Sequence, residues 1–151
     1  MNIIKTQKKH LHSAAKIMEE AYYDSITEAK KELARKIRSN ESFVALEENN
    51  VVGVLIYAKS YSHYANYMED IIVAKNWRRK GVAKKLIEKY VDVSKKQTPK
   101  KQKYALSSTD VSNKTSINMH VTCGFKEIGR MKKLHYGKDE IFFAYDLRKK
   151  E

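Results

Sequence analysis

Residues 77–90 read "WRRKGVAKKLIEKY", three cations and a glycine directly ahead of an amphipathic helix. The first amide N–H groups of a helix have no intrahelical acceptors, and the macrodipole places partial positive charge at that end. Such an end is a seat for anions, phosphate above all. Gly81 lacks a Cβ, so a ligand can approach its backbone closely, and Ala83 is nearly as small. Arg78, Arg79 and Lys80 add charge-assisted donors. Between a strand and a helix, "RRKGVA" has every part of a diphosphate seat. The same residues also suit a plain helix start with solvated cations. The segment is not a Walker loop, lacking G-x-x-x-x-G-K-[ST], nor a dinucleotide fingerprint, which needs G-x-G-x-x-G.

The elements that must position this turn follow from hydrophobic periodicity. "NIIKTQ" reads as a first strand. Leu11, Ala14, Ala15, Met18 and Tyr22 recur at helical spacing over 9–22, and Ala29, Leu33 and Ile37 do so over 27–39. "SFVALEE" and "VVGVLIYAKSY" form a hairpin through "ENN", and "YMEDIIV" is the strand that leads into the turn. Val82, Leu86, Tyr90 and Val93 stripe a helix over 81–95, "KQTPKKQ" is a loop with the sole proline, and "KYALSS" is a strand. Asn113 to Cys123 is a short helix stopped by Gly124, and "FKEIGRMKKLHY", "YGKD" and "EIFFAYDL" make a final hairpin. The order β-α-α-β-β-β-α-β-α-β-β predicts an α/β (α+β) fold, a mixed sheet with helices on both faces. A right-handed crossover makes strands 67–73 and 103–108 parallel neighbours. With no repeat and no linker, residues 1–151 are expected to form a single domain.

Composition narrows the class. No run approaches about 18 apolar residues, and "MNIIKTQKKH" lacks the apolar core of a signal peptide, so a cytoplasmic location is expected. Cys123 is the only cysteine, which excludes an internal disulfide and a thiolate zinc site. The formal charge of +13 favours polyanionic partners such as nucleic acid, phosphorylated metabolites or anionic lipid. The excess is uneven: Asn76 to Lys103 holds eleven Lys or Arg against only Glu88 and Asp92.

Two motifs carry a family resemblance. After a strand ending in Val73, Arg78, Gly81 and Ala83 fill Q/R-x-x-G-x-G/A. Further on, "NKTSINMHVTCGF" fills N-x-x-(A/S)-x-x-x-(Y/H)-x-x-x-G-F with Asn113, Ser116, His120, Gly124 and Phe125. Together they resemble the two signatures of the GNAT N-acetyltransferase superfamily, and the element order fits over nearly the whole chain. The resemblance implies a sheet of about seven strands with a splayed parallel pair at its middle and acetyl-CoA as cofactor. It puts the pantetheine arm between the splayed strands, against the backbone of Ile71, Ile72 and Val73. It sets the pyrophosphate on Arg78, Arg79, Lys80, Gly81, Val82, Ala83 and Lys84, with Asn113 and Ser116 also at the cofactor.

Acetyl transfer by direct attack needs a neutral amine, yet alkyl amines have a pKa of about 10, so a base is required. The resemblance makes Glu69 the first candidate, on one strand face with Ile71 and Val73, and Asp70 a substrate-binding residue or second candidate on the other face. The backbone N–H of Val73 would stabilise the oxyanion. His120 stands where many members have the tyrosine that protonates the leaving sulfur, and its ordinary pKa allows donation; Tyr67, Tyr136 and Tyr145 are alternatives. Tyr22 and Tyr64 are expected to bind the acceptor, with Tyr23, Tyr61 and His63 as further candidates. The expected acceptor is a primary amine of a small molecule or peptide, with no nucleic acid or membrane partner and homodimers common among similar proteins. Two other classes stay open: a coenzyme-sensing module without catalysis, and a basic nucleic-acid-binding domain, for which no docking motif is present.

Overall fold

The computed structural model describes residues 1–97 and 102–149. The elements are β1 (Asn2–Lys5), a 3₁₀ turn (Lys8–His10), α1 (Leu11–Ala21), α2 (Ile26–Arg38), β2 (Ser42–Glu47), β3 (Asn50–Ser62) and β4 (Ala65–Val73). A second 3₁₀ turn (Lys75–Trp77), α3 (Val82–Lys96), β5 (Tyr104–Asp110), α4 (Lys114–Thr122), β6 (Lys126–His135) and β7 (Lys138–Asp146) follow. The order matches the sequence expectation, with ends displaced by a few residues. Residues 98–101 of the expected loop "KQTPKKQ" lie outside the described residues. The strands form one seven-stranded sheet in the order β1-β2-β3-β4-β5-β7-β6. Among the described residues, no helix is long and apolar enough to cross a membrane. By packing, the chain divides into two compact units, Met1–Tyr57 with Asp70–Lys89 and Ala58–Glu69 with Tyr90–Glu151.

In the first unit, Ser25 caps α2 by accepting the Glu28 N–H at 3.1 Å, and Arg35, Lys36 and Arg38 complement the dipole at its end. The apolar stripes of both helices bury Ala14, Ala15, Met18, Ala29 and Leu33 against Val44, Val54, Ile56 and Ile72. Strands β1, β2 and β3 are antiparallel neighbours. Glu48 and Asn49 both adopt positive φ (48° and 66°), the geometry of a two-residue hairpin loop that matches strand twist. A Cβ on Gly53 would meet Val82 Cγ1 at 2.9 Å, so this glycine lets α3 lie close on β3. Val54, the next residue, packs toward α1 and α2. Alternation along β3 therefore puts α3 on the opposite face of the sheet from α1 and α2.

In the second unit, β5 pairs antiparallel with β7 from Tyr104↔Asp146 to Asp110↔Glu140, and β6 closes the hairpin on β7. The parallel ladder between β4 and β5 covers three pairs, Ala65↔Tyr104 to Tyr67↔Leu106, although β4 runs on to Val73 and β5 to Asp110. α4 ends as its glycine foretold. The Phe125 N–H reaches the His120 carbonyl at 2.9 Å, and Gly124 takes φ +92°.

Candidate active site

The turn ahead of α3 has the expected form. Its helical ladder opens with the Lys85 N–H on the Gly81 carbonyl at 3.1 Å, which leaves the amides of Val82, Ala83 and Lys84 without intrahelical acceptors. Gly81 sits at φ +80°, and nothing lies within 4 Å of where its Cβ would be. Glycine is thus required by backbone conformation, and the space outside the turn is open for a ligand. Arg79 also takes positive φ (62°), and Arg78, Arg79 and Lys80 are exposed. Arg78 Nε donates to the Val73 carbonyl at 3.2 Å, and Lys80 Nζ lies 4.8 Å from the Trp77 ring centroid. Val82 contributes only backbone, since its side chain is buried.

The strand before the turn offers its backbone selectively. The Ala74 N–H donates to the Val52 carbonyl on β3 at 2.9 Å. By alternation, the N–H groups of Ile71 and Val73 point to the opposite edge of β4. Ile72 departs from expectation: its N–H has the β3 direction and its side chain is core. Free donors on Ile71, Val73 and the turn, ringed by cations, fit an extended amide chain ending in phosphates.

Asp70 is the titratable group that stands out. Tyr23 Oη donates to its Oδ2 at 2.7 Å, and Tyr22 Oη to its Oδ1. The two rings stack with centroids 5.4 Å apart, and Tyr22 remains largely exposed. Burial pushes the Asp70 carboxyl up to about 7. Two residues expected at the acceptor, Tyr22 and Asp70, thus meet in the first unit, and Tyr23 joins them.

The second unit holds the other candidates. His120 is buried, its ring stacked 4.5 Å from Phe143 and edge-on to Phe125. Its Nδ1 lies 2.7 Å from the Ser116 carbonyl, so it carries the proton; its Nε2 therefore accepts from the Ser107 hydroxyl at 2.8 Å. Burial lowers its pKa, opposed by the Ser116 bond. This neutral, fully bonded ring fits a core histidine better than a proton donor. Asn113 caps α4, its Oδ1 accepting the Ser116 N–H at 3.1 Å. Tyr64 packs under Lys103, whose Nζ is 4.6 Å from the ring centroid. Glu69 is exposed.

Sequence reasoning did not find the chain of groups around Tyr67. The Tyr67 and Ser108 hydroxyls are 2.5 Å apart, and Ser108 Oγ donates to Glu140 Oε2 at 3.2 Å. Burial pushes the Tyr67 phenol up; the Ser108 bond opposes this, and Glu140, Tyr61 and Glu69 reinforce it. The signal lay in strand pairing: only β5 set beside both β4 and β7 brings residues 67, 108 and 140 together.

A model of the acetyltransferase (GNAT) family matches residues 11–125. The chain belongs to the GNAT acetyltransferase family. It is an acetyl-CoA-dependent acetyltransferase, and both motifs that suggested this lie within the matched span. Solved structures share the fold. An N-acetyltransferase from Staphylococcus aureus Mu50 is 23% identical with a TM-score of 0.83, covering 97% of this chain and 98% of its own. A putative acetyltransferase from Salmonella typhimurium, solved with its cofactor acetyl-CoA, is 16% identical with a TM-score of 0.81, covering 99% and 95%. A spermidine N-acetyltransferase chimera from Vibrio cholerae and hSSAT is 20% identical with a TM-score of 0.79, covering 97% of each chain. No curated protein matches the sequence of this GNAT chain.

Proposed function

We propose that this GNAT enzyme transfers the acetyl group of acetyl-CoA to a primary amine of a small molecule or peptide by direct attack, with Asp70 as general base. The carrying observation is the Asp70 carboxyl itself, raised to about 7 by burial and held on both oxygens by Tyr22 and Tyr23. A base is most effective with a pKa near the working pH, and at pH 7 to 8 this one is ionised often enough to accept a proton.

Acetyl-CoA, when bound, supplies an acyl group activated as a thioester. The amides at Val82 to Lys84 and the cations Arg78, Arg79 and Lys80 hold the phosphates, and the outward N–H groups of Ile71 and Val73 align the pantetheine arm. The Val73 N–H also stabilises the negative charge that develops on the carbonyl oxygen. Asp70 takes the proton that the attacking nitrogen must lose, and the two phenols keep its oxygens oriented.

Glu69, one residue earlier, is the competing base. A thiol-release assay with acetyl-CoA and an amine panel decides between them. Asp70→Asn is expected to lower turnover by about 10²–10⁴-fold with coenzyme A affinity unchanged. A larger loss from Glu69→Gln, or no transfer to any amine, would overturn the assignment.

A further inference from the structure

Tyr22 and Tyr23 bind the two oxygens of Asp70 from different surroundings, all within the first unit. Tyr23 is partly buried, packs against the core that α1 and α2 share with the sheet, and donates to Oδ2 at 2.7 Å. Tyr22 is the first residue beyond α1 and is 60% exposed, and its bond to Oδ1 is exposed as well. Its ring stacks on Tyr23 with centroids 5.4 Å apart. Among the described residues its side chain makes no other hydrogen bond or ring contact. One phenol is therefore anchored in the core, and the other is held only by its neighbour's ring and by the carboxylate.

A base must come within hydrogen-bond reach of the proton it takes. Asp70 is half-buried, and on its exposed side, at Oδ1, the Tyr22 phenol already donates. An attacking nitrogen needs the place that this hydroxyl occupies. The exchange keeps the hydrogen bonds in balance. The amine N–H replaces the phenol O–H as donor to Oδ1, the phenol turns to water, and Tyr23 keeps Oδ2. The proton that the nitrogen loses on attack passes to Oδ1. The surrounding charge favours the arrival of an amine: residues 17–29 hold Glu19, Glu20, Asp24 and Glu28 but no Lys or Arg, an acidic stretch in a chain of formal charge +13.

We infer that Tyr22 is a gate on Asp70: its phenol closes Oδ1 in the resting enzyme, and the acceptor amine enters by displacing it while Tyr23 holds Oδ2. This rests on the reading of Asp70 as the base and deepens it. Both phenols align the carboxylate at rest, but only Tyr23 stays through proton transfer. Tyr22 is a positioning residue that competes with the acceptor. The apparent affinity for the acceptor is then reduced by the fraction of molecules in which the gate is open.

Steady-state thiol release with acetyl-CoA and a panel of primary alkylamines tests the gate, at about pH 8.5, above the Asp70 midpoint of about 7. Tyr22→Phe keeps the ring and its stack but removes the bond to Oδ1. It should lower KM for the amine about three- to tenfold and raise kcat/KM accordingly. Tyr23→Phe should not lower KM. A fall in kcat for Tyr22→Phe at constant KM, the mark of a plain orienting role, would overturn the inference. A second measurement needs no acceptor: carbodiimide coupling of glycinamide to the full chain, read by peptide mass spectrometry, compares Asp70 with its exposed neighbour Glu69. Tyr22→Ala should raise Asp70 labelling several-fold relative to Glu69, and Tyr23→Phe should not. An unchanged ratio in Tyr22→Ala sinks the gate. Turnover of Asp70→Asn separates the two readings: full turnover there, with labelling still raised by Tyr22→Ala, sinks the base and leaves the shielding of the carboxyl by Tyr22 standing.

Discussion

Tyr23 Oη lies 2.7 Å from Asp70 Oδ2 and so ties the segment after α1 to β4 across 47 residues of chain. With Tyr22 on the other oxygen, the carboxylate is fixed by two phenols while burial raises its pKa to about 7. The pH profile of kcat/KM is therefore expected to rise through a midpoint near 7. Tyr23→Phe removes a bond that favours the ionised form, so it should move that midpoint upward. A profile flat between pH 6 and 8 would sink this reading of Asp70.

The same carboxyl makes a stability prediction. Its folded pKa lies above the ordinary carboxylate value, so between about pH 4 and pH 7 the native state keeps a proton that the unfolded chain releases. Its contribution is complete below pH 4 and is lost as pH rises through 7. Thermal melts of Asp70→Asn should therefore match wild type near pH 4 and exceed it at pH 8. The slope between is at most about 1.4 kcal/mol per pH unit.

Gly81 and Gly53 should fail differently when changed to alanine. At Gly81 the added methyl meets nothing, so the cost is backbone strain at φ +80°, about 1 kcal/mol, and coenzyme A should bind several-fold more weakly. At Gly53 the methyl would lie 2.9 Å from Val82 Cγ1, and overpacking should cost about 1–3 kcal/mol. Denaturant midpoints together with coenzyme titration distinguish the two.

His120→Ala is expected to destabilise by about 3 kcal/mol, because it opens a cavity against Phe143 and leaves the buried Ser107 hydroxyl unpartnered. Its folded pKa is lowered, so the unfolded chain takes up the proton first and wild-type stability falls as pH drops below about 6.5. Melts of the variant should lose that acid slope. A basic limb of kcat that vanishes with His120→Gln would instead restore the proton-donor role.

Lys36 is buried in the first unit, with Nζ 2.6 Å from the Tyr57 carbonyl and 3.9 Å from Glu41. Lys36→Met keeps the packing and removes the donor and the charge. Urea unfolding should show a loss of about 1–3 kcal/mol without a change in coenzyme affinity.

The sequence by itself determined the element order, the Arg78–Gly81–Ala83 turn ahead of α3 and the glycine stop at Gly124. These depend on residues within a few positions of one another: helix periodicity, orphan amides and positive φ are local physics. Tertiary structure alone decided that Asp70 is held by Tyr22 and Tyr23 while Glu69, its neighbour in sequence, is exposed. It also decided that His120, for which the family resemblance implied a proton-donor role, is bonded on both nitrogens in a core. The Tyr67–Ser108–Glu140 chain was illegible for the same reason. Its members sit on three strands, and the strand order that makes them neighbours is set by which faces and edges bury together over long separations.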